Sequence, residues 1–421
     1  MYNKTVLDNG VRIISERVEH LRSVSLGIWV NTGSRDETRA ENGVSHFIEH
    51  MSFKGTRQRD VLQIAKELDI IGGLSNAFTG KENTCFHGRV LGRHFGRLAE
   101  ILSDIFLNST FNSVEMERER EVILQEINMM EDTPDDNLHT LFTELFWDGH
   151  PIGWPILGTG ETVSAISKET ILNYIQKSYV PKEILVVAAG EVDHAQMVSF
   201  FKPLFETLPG GGDNRLGRTA PLSRGGFSTH HKALEQVHIC LGGEAPSQLD
   251  DRRFACAIFN TILGGNMSSR LFQEIREKRG LVYSVYSFLS TYVDAGLLGI
   301  YAATEPQNLN LVLQTIQDEI VKLCKGELTD TEVAEAKEHL IGGIYLGSES
   351  ADNRMMRMAK NEFAFGRLVD YEELVSGLEQ VSMDDVVSVA CSTFQDREIS
   401  FAALGPVEND AVDRGLLQYN G

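Results

Sequence analysis

Residues 166–192 read ISKETILNYIQKSYVPKEILVVAAGEV, and residues 381–407 read VSMDDVVSVACSTFQDREISFAALGPV, aligned without gaps at an offset of 215 residues. Each copy shows helical spacing of apolar residues followed by a run typical of a strand. Both copies have a serine where the helix should begin and a glycine where the strand should end: Ser167 and Ser382, Gly190 and Gly405. Because this repeat far exceeds the period of solenoid proteins, it predicts a duplicated domain. Chance similarity of two helix–strand units is the alternative.

The length and the middle of the chain also favour two domains. A chain of 421 residues suits two cores of about 200 residues each. Residues 208–226, LPGGGDNRLGRTAPLSRGG, are rich in Gly and Pro and poor in apolar side chains, as inter-domain linkers are. We therefore predict an N-terminal domain over 1–208, a linker over 209–226 and a C-terminal domain over 227–421.

Hydrophobic periodicity predicts individual elements in the first half. Alternating apolar residues over 24–30 predict a half-buried strand, and 75–86 is predicted as another strand. Helices are predicted near 43–51 and 61–71 and over much of 92–147. Since both halves mix strands with helices, each is expected to form layers of sheet and helix.

The composition limits the classes of partner. Hydrophobic residues make up 42% and charged residues 24% of the chain, which is ordinary for a globular protein. The formal net charge of -21 and a pI near 5.0 argue against binding to nucleic acid or to anionic membrane surfaces. An acidic cleft would suit basic peptides, whereas an acidic solvated surface would only aid solubility. Net charge alone does not decide between these two interpretations.

The cysteines and the N-terminus bear on the compartment. Five widely spaced cysteines without a C-x-x-C pair indicate neither a disulfide framework nor a thiolate zinc site, and favour a reducing compartment. The first residues show no export or transit signal, and no uninterrupted apolar run approaches the roughly 18 residues that span a bilayer. A cytoplasmic protein that does not enter membranes is the expectation.

Residues 46–50, HFIEH, form an H-x-x-E-H motif. On a helix His46, Glu49 and His50 fall within an arc of about 100°, so they face the same way. Two imidazoles one turn apart can bind one tetrahedral zinc ion, and the carboxylate before the second His can hold and deprotonate a water molecule. A surface helix with satisfied histidines is the alternative, since the motif also arises from composition.

A hydrolytic zinc site needs a third protein ligand and an open position for water. A helix predicted over 114–130 carries an apolar stripe of Val122, Ile123 and Met130. Glu119 and Glu126, seven residues apart, lie within the same stripe. Burying carboxylates without partners costs several kcal/mol each, which a divalent cation or a hydrogen-bonded His offsets. Glu126 is therefore the candidate third ligand, and Glu119 is the candidate residue that orients a ligand.

These residues resemble the inverzincin family of zinc metallopeptidases, which includes pitrilysin, insulin-degrading enzyme and the processing-peptidase β subunit. The match is closest to the processing-peptidase branch, through residues 46–56, HFIEHMSFKGT. The family's third ligand follows the second His at the distance of Glu126, and its second glutamate matches Glu119. The resemblance covers essentially the whole chain. It implies an α+β fold of two similar domains, each a mostly antiparallel sheet flanked by helices.

The resemblance also implies substrate-binding residues. The strand GGLSNAFT at 72–79 would pair with an extended peptide through Asn76 and Ala77, with Phe53 as a further contact; an ordinary edge strand is the alternative. In the second half, Arg276 and Tyr283 are expected to clamp the peptide backbone and stabilise the oxyanion, although Arg276 could simply be a solvated helix residue.

The resulting expectation is a zinc endopeptidase that cleaves extended or unfolded peptides, with one Zn²⁺ per chain and Glu49 as general base. Only one site per chain is expected, since residues 254–265 carry no equivalent motif. By resemblance the protein would be a bacterial homodimer. A preference for basic residues is suggested by an acidic run, Glu131, Asp132, Asp135 and Asp136, which could equally be a solvated loop. A non-catalytic scaffold of the same fold is the main alternative, and a zinc hydrolase of non-peptide substrates is another.

Overall fold

The computed structural model describes residues 1–209, 217–223, 225–395 and 399–419. Of the predicted linker, residues 210–216 and 224 lie outside this part. The chain divides into two compact units, each made of three stretches. Unit 1 contains Met1–Met129, Trp154–Arg218 and Leu346–Leu368, and unit 2 contains Met130–Gly153, Thr219–Tyr345 and Val369–Gly421.

Eleven strands and fourteen α-helices are defined within the described residues. The strands are β1 (Tyr2–Val6), β2 (Arg12–Arg17), β3 (Ser23–Val30), β4 (Leu74–Thr79), β5 (Thr84–Leu91), β6 (Ile184–Gly190), β7 (Phe227–His231), β8 (Val237–Glu244), β9 (Val282–Thr291), β10 (Gly296–Thr304) and β11 (Ser400–Gly405). The helices are α1 (Val44–Ser52), α2 (Val61–Ile70), α3 (Phe95–Asn108), α4 (Ser113–Asp132), α5 (Pro134–Phe146), α6 (Gly160–Ala165), α7 (Lys168–Ser178), α8 (His194–Phe205), α9 (Arg253–Leu263), α10 (Leu309–Cys324), α11 (Asp330–Gly347), α12 (Ala351–Phe365), α13 (Tyr371–Glu379) and α14 (Met383–Phe394). None of these helices is both long and apolar enough to cross a lipid bilayer.

Unit 1 contains a six-stranded sheet in the order β1-β2-β6-β3-β5-β4. β2 and β6 run parallel, and the other neighbours are antiparallel. β3 and β6 are buried along almost their whole length, because helices α3 and α8 cover one face of the sheet and α12 covers the other. The predicted strand over 75–86 proves to be two, since the Gly80 N–H donates to the Asn83 carbonyl oxygen at 2.8 Å and closes a turn between β4 and β5.

Unit 2 contains a five-stranded sheet in the order β7-β11-β8-β10-β9. Only β7 and β11 are parallel among its neighbouring strands in the described part of the chain. Helices α9, α10 and α14 pack on one face and α5 on the other. The two sheets therefore share one topology, in which β2-β6-β3-β5-β4 corresponds strand by strand to β7-β11-β8-β10-β9. The predicted α+β fold of two duplicated, mostly antiparallel domains is confirmed.

The internal repeat corresponds to α7 followed by β6 and to α14 followed by β11. Ser167 and Ser382 cap the two helices by accepting hydrogen bonds from backbone N–H groups three residues on. Gly190 and Gly405 end the strands with φ of 114° and 140°. A side chain in either place would also meet a backbone carbonyl oxygen of the neighbouring strand segment, so both positions require glycine.

The compact units do not coincide with the predicted ranges 1–208 and 227–421. Helix α5 lies in the first half of the sequence but packs on β8 and β11 of unit 2, where Phe142 and Phe146 are fully buried. Helix α12 lies in the second half but packs on unit 1. The physical reason is that each sheet has two apolar faces, and its own half of the sequence covers only one of them. The assignment of the two ranges as catalytic and substrate-binding domains stays a prediction.

Polar contacts hold α12 on unit 1. The Glu362 side chain is 2% exposed and pairs with Lys4 at 2.7 Å and with Arg12 at 3.2 Å. The Trp29 indole N–H donates to the Met355 sulfur at 3.3 Å. A buried carboxylate needs such partners to offset its loss of hydration, so the position of α12 is specified by charge as well as by apolar packing.

Candidate metal centre

Helix α1 carries the H-x-x-E-H motif and is anchored by a buried carboxylate, that of Glu37. Its Oε1 accepts the Ser45 N–H at 2.9 Å, and its Oε2 accepts the Gly43 N–H at 2.8 Å and the Asn42 side-chain N–H at 3.0 Å. These bonds replace a capping side chain, which the N-cap Gly43 lacks. Burial raises the pKa of Glu37 to about 7, against the opposing effect of these donors.

The two histidines of the motif lie together on one side of α1. The His46 and His50 ring centroids are 4.6 Å apart. Burial, with the nearby His50, lowers the pKa of His46 to about 3, so its ring is neutral near pH 7 and offers a lone pair. The buried Nδ1 of His46 has no hydrogen-bond partner in the described part of the chain.

Helix α4 brings two glutamates to these histidines. Oε2 of Glu126 lies 3.7 Å from Nε2 of His46 and 3.5 Å from Nε2 of His50. Nδ1 of His50 donates to Oε2 of Glu119 at 3.0 Å, because an ionised carboxylate can only accept. The same bond leaves the lone pair of His50 on Nε2, the nitrogen that faces Glu126.

The apolar stripe predicted on this helix is wrong in one position. Val122 is 40% exposed. The buried residues of α4 are Met116, Glu119, Ile123 and Ile127. The stripe follows steps of three and four residues from Met116, which excludes position 122 but includes the carboxylate of Glu119. Glu126 stands at the border of this face, where its carboxylate is partly exposed.

The donor set fits a zinc ion. One ligand atom from each of His46, His50 and Glu126 lies within 4.8 Å of the other two. The distances of 3.5 and 3.7 Å between Glu126 and the imidazoles exceed normal N···O hydrogen bonds. Tetrahedral zinc with bonds of about 2.0–2.2 Å separates its ligand atoms by roughly 3.3–3.6 Å. Two imidazoles and one carboxylate, with a fourth position open, are the ligands of known hydrolytic zinc sites.

Glu49 lies on the same helix between these ligands and contacts Thr79. The Thr79 hydroxyl donates to Oε2 of Glu49 at 2.5 Å. Burial raises the pKa of Glu49, while the hydrogen bonds from Thr79 lower it. Thr79 was not among the predicted site residues, although it lies only three residues after Asn76 on the predicted substrate strand.

Two further residues around the centre were not predicted. Lys54 places Nζ 2.7 Å from Oε1 of Glu119, which extends the chain of contacts from His50 through Glu119 to a cation. Its position four residues after His50, one helical turn on, was a signal for this contact. No feature of the sequence indicated the role of Glu37. A carboxylate in the loop before a helix is as common where it is solvated as where it is buried.

The predicted substrate residues of unit 1 lie on and near its edge strand. β4 is the last strand of the sheet, where an added strand can pair. Asn76 is exposed, and its Oδ1 accepts the Ala77 N–H at 2.9 Å. Phe53 is partly buried, with its ring centroid 6.5 Å from that of Phe86, so its predicted contact with substrate would involve only part of the ring.

Arg276 and Tyr283 lie together in unit 2. The Arg276 guanidinium is 5.2 Å from the Tyr283 ring centroid and 4.7 Å from that of Phe272. The turn that carries Arg276, Phe272–Glu277, is π-helical, a form often found at functional positions. Tyr283 is 78% exposed. These contacts orient the guanidinium, and the predicted role of the pair in binding peptide stays a prediction.

Unit 2 has no second centre of this kind in the described part of the chain. The buried face of α9 is Ala255, Cys256, Ile258, Phe259, Thr261, Ile262 and Leu263. This face has no carboxylate or imidazole and only one thiol, that of Cys256, so it does not repeat the ligand set found in unit 1.

Sequence comparisons agree with this division. The family model described as "Insulinase (Peptidase family M16)" matches residues 12–160. The model described as "Peptidase M16 inactive domain" matches residues 165–340. An uncharacterized zinc protease of Streptomyces coelicolor is 38% identical over 98% of this chain and 91% of its own length. The uncharacterized zinc protease YmxG of Bacillus subtilis is 37% identical over 97% of this chain and 99% of its own length.

Solved structures show the same fold. A protease from Helicobacter pylori superimposes with a TM-score of 0.89 at 22% identity, over 96% of this chain and 99% of the other. A peptidase M16 inactive domain from Pseudomonas fluorescens also has a TM-score of 0.89, at 18% identity, over 97% of this chain and 98% of the other. Because the two family models together match more than half of the chain and the relatives align over nearly its whole length, the chain belongs to peptidase family M16.

Proposed function

We propose that this protein is a zinc-dependent endopeptidase that cleaves extended or unfolded peptides, with one Zn²⁺ per chain. The observation that carries the proposal is the convergence of two imidazole Nε2 atoms and one carboxylate beside Glu49. His46, His50 and Glu126 would hold the metal. The relatives are named as zinc proteases, which supports the same activity.

A zinc ion bound there would lower the pKa of water to about 7 and polarise a carbonyl group. Glu49 acts as general base, accepting a proton from the attacking water and then donating it to the leaving amine. Burial raises the pKa of Glu49, which is the direction that suits a group that first accepts a proton and then donates it. Glu119 fixes the His50 ring through Nδ1, so that Nε2 keeps its lone pair toward the site.

The peptide would add as a further strand beside β4, where Asn76 and Ala77 offer polar groups to its backbone. Phe53 would contact a side chain of the peptide. Arg276 and Tyr283 would bind the peptide backbone and stabilise the oxyanion. We extend the proposal to a homodimer, on the resemblance to processing peptidases, and to a cytoplasmic location, because the widely spaced cysteines favour a reducing compartment.

Zinc content and cleavage test the proposal together. Elemental analysis of the purified protein should give about one zinc per chain, and the protein should cleave a quenched unfolded peptide in a chelator-sensitive way. Glu126→Gln should lose both properties, because a carboxamide is a weak zinc ligand. The matched control is Glu121→Gln, an exposed glutamate on the same helix, which should retain both. A metal-free, inert wild-type protein would instead favour a non-catalytic binding subunit.

A further inference from the structure

We propose that Thr79 is the positioning residue for Glu49, an assignment that rests on the endopeptidase function proposed above. Thr79 is the last residue of β4. Its hydroxyl oxygen lies 2.5 Å from Oε2 of Glu49 and 3.5 Å from the Ser45 carbonyl oxygen. The hydroxyl proton therefore goes to the carboxylate, since hydrogen bonds to ionised acceptors are the shorter and stronger ones.

The backbone on both sides of Thr79 is held in place. Thr79 pairs with Thr84 at the end of the β4–β5 hairpin. The next residue, Gly80, donates its N–H to the Asn83 carbonyl oxygen at 2.8 Å and accepts the Ser34 N–H at 3.1 Å. The hydroxyl is thus presented from a fixed support, which is the condition for a group that orients a catalytic side chain.

A glutamate side chain rotates about three bonds, whereas a general base must keep one oxygen at a constant place. Thr79 engages Oε2 of Glu49, which leaves Oε1 to accept the proton of the attacking water. Misplacing a reacting group by about 1 Å can lower a rate by roughly 100-fold. Because the Thr79 backbone belongs to the strand proposed to pair with the peptide, one residue links substrate alignment to the orientation of the base.

A threonine at a strand end also has a purely structural explanation, since β-branched residues favour strands. Two substitutions separate the hydroxyl from the shape of the side chain. Thr79→Val keeps the branched shape and removes the hydroxyl, and Thr79→Ser keeps the hydroxyl and removes the methyl group. Thr229→Val is the matched control, because Thr229 also lies on a strand and donates to a side-chain oxygen, that of Asn409, at 2.7 Å.

Steady-state cleavage of a quenched peptide by the zinc-loaded protein is the first measurement. Thr79→Val should lower kcat roughly 10- to 100-fold, with KM within about twofold and zinc content unchanged. Thr79→Ser should restore most of kcat, and Thr229→Val should match wild type. Wild-type kcat in Thr79→Val, or equal loss in Thr79→Ser, would overturn the assignment.

A thermal double-mutant cycle tests the contact without activity. Thr79→Val should lower the unfolding midpoint by about 2–4 °C in the wild type, and by much less in a Glu49→Ala background, because the partner is already gone. Additive shifts would overturn the contact. A zinc-free or inert wild type would contradict the proposed function, while this cycle would still decide whether Thr79 holds Glu49.

Discussion

Helices α1 and α9 stand in units that share one strand order, yet only α1 buries an imidazole among its apolar side chains. α1 buries His46 next to Glu49 and His50, with Glu37 accepting hydrogen bonds at its beginning. α9 buries apolar side chains and begins at Arg252 without a side-chain cap. A duplicated fold therefore does not carry the site with it. The candidate metal centre is a set of polar side chains placed on one of two copies of a scaffold.

The largest effect is expected from a substitution that abolishes the proposed catalysis in unit 1 without changing its fold. Glu49→Gln should lower kcat by about 100- to 10,000-fold, the usual contribution of general base catalysis. Zinc content and circular dichroism should stay at wild-type values, because Glu49 is not among the proposed ligands. Peptide cleavage with elemental analysis provides the check. Substantial activity in this variant would mean that Glu49 is not the base.

The second prediction concerns helix α12, which comes from the second half of the sequence but packs on unit 1. It tests whether the contacts of α12 stabilise unit 1 more than unit 2. Glu362→Gln leaves Lys4 and Arg12 without their buried carboxylate, so the free energy of unfolding of unit 1 should fall by about 2–3 kcal/mol, less than for a fully buried pair because Lys4 is partly exposed. Urea unfolding followed by hydrogen exchange would resolve the two units. Glu338→Gln, at an exposed position of α11, is the control; equal loss in both variants would contradict the prediction.

The third prediction concerns the residues that contact the proposed metal ligand His50 through Glu119. Lys54→Met removes the cation that pairs with Glu119, so zinc affinity should fall by about 10- to 100-fold, as for other residues that orient ligands. Lys54→Arg should lose much less. Competition with a zinc-binding dye measures the affinity. If Lys54→Met binds zinc as tightly as wild type, Glu119 orients His50 without help from a cation.

The smallest expected effect is the contribution of Glu37 to the pH dependence of stability. Glu37 accepts hydrogen bonds at the beginning of α1, whereas α9 begins without a side-chain cap. The pKa of Glu37 is raised to about 7 from 4.5, so its protonated form is favoured in the folded state. Its contribution to stability is complete below pH 4.5 and is lost as the pH rises through 7. Between pH 6 and 8 this loss is roughly 1 kcal/mol. Glu37→Gln should remove that part of the pH slope in thermal unfolding; an unchanged slope would contradict the assignment.

Much of the site was predictable because its elements are local. The spacing of His46, Glu49 and His50 determines their common helix face, and two carboxylates within the predicted apolar stripe of α4 indicated a partner. Val122 was misplaced because the edges of a helical stripe depend on what packs against it. Thr79 was missed because its partner Glu49 is 30 residues away and no periodicity connects the two. Glu37 was missed although its partners are near in sequence, because a loop carboxylate before a helix is as common at solvated positions as at buried ones.

The sequence by itself determined the repeat of helix and strand, with the capping serines and the terminal glycines Gly190 and Gly405, since these depend on neighbouring residues and on backbone conformation. The tertiary structure decided which helix covers which sheet. Helix α5 packs on the sheet of unit 2 and helix α12 on the sheet of unit 1. The fold also places Glu126 of α4 beside the histidines of α1. Apolar faces of similar shape can be covered by any suitable helix, so only the packed chain selects among them.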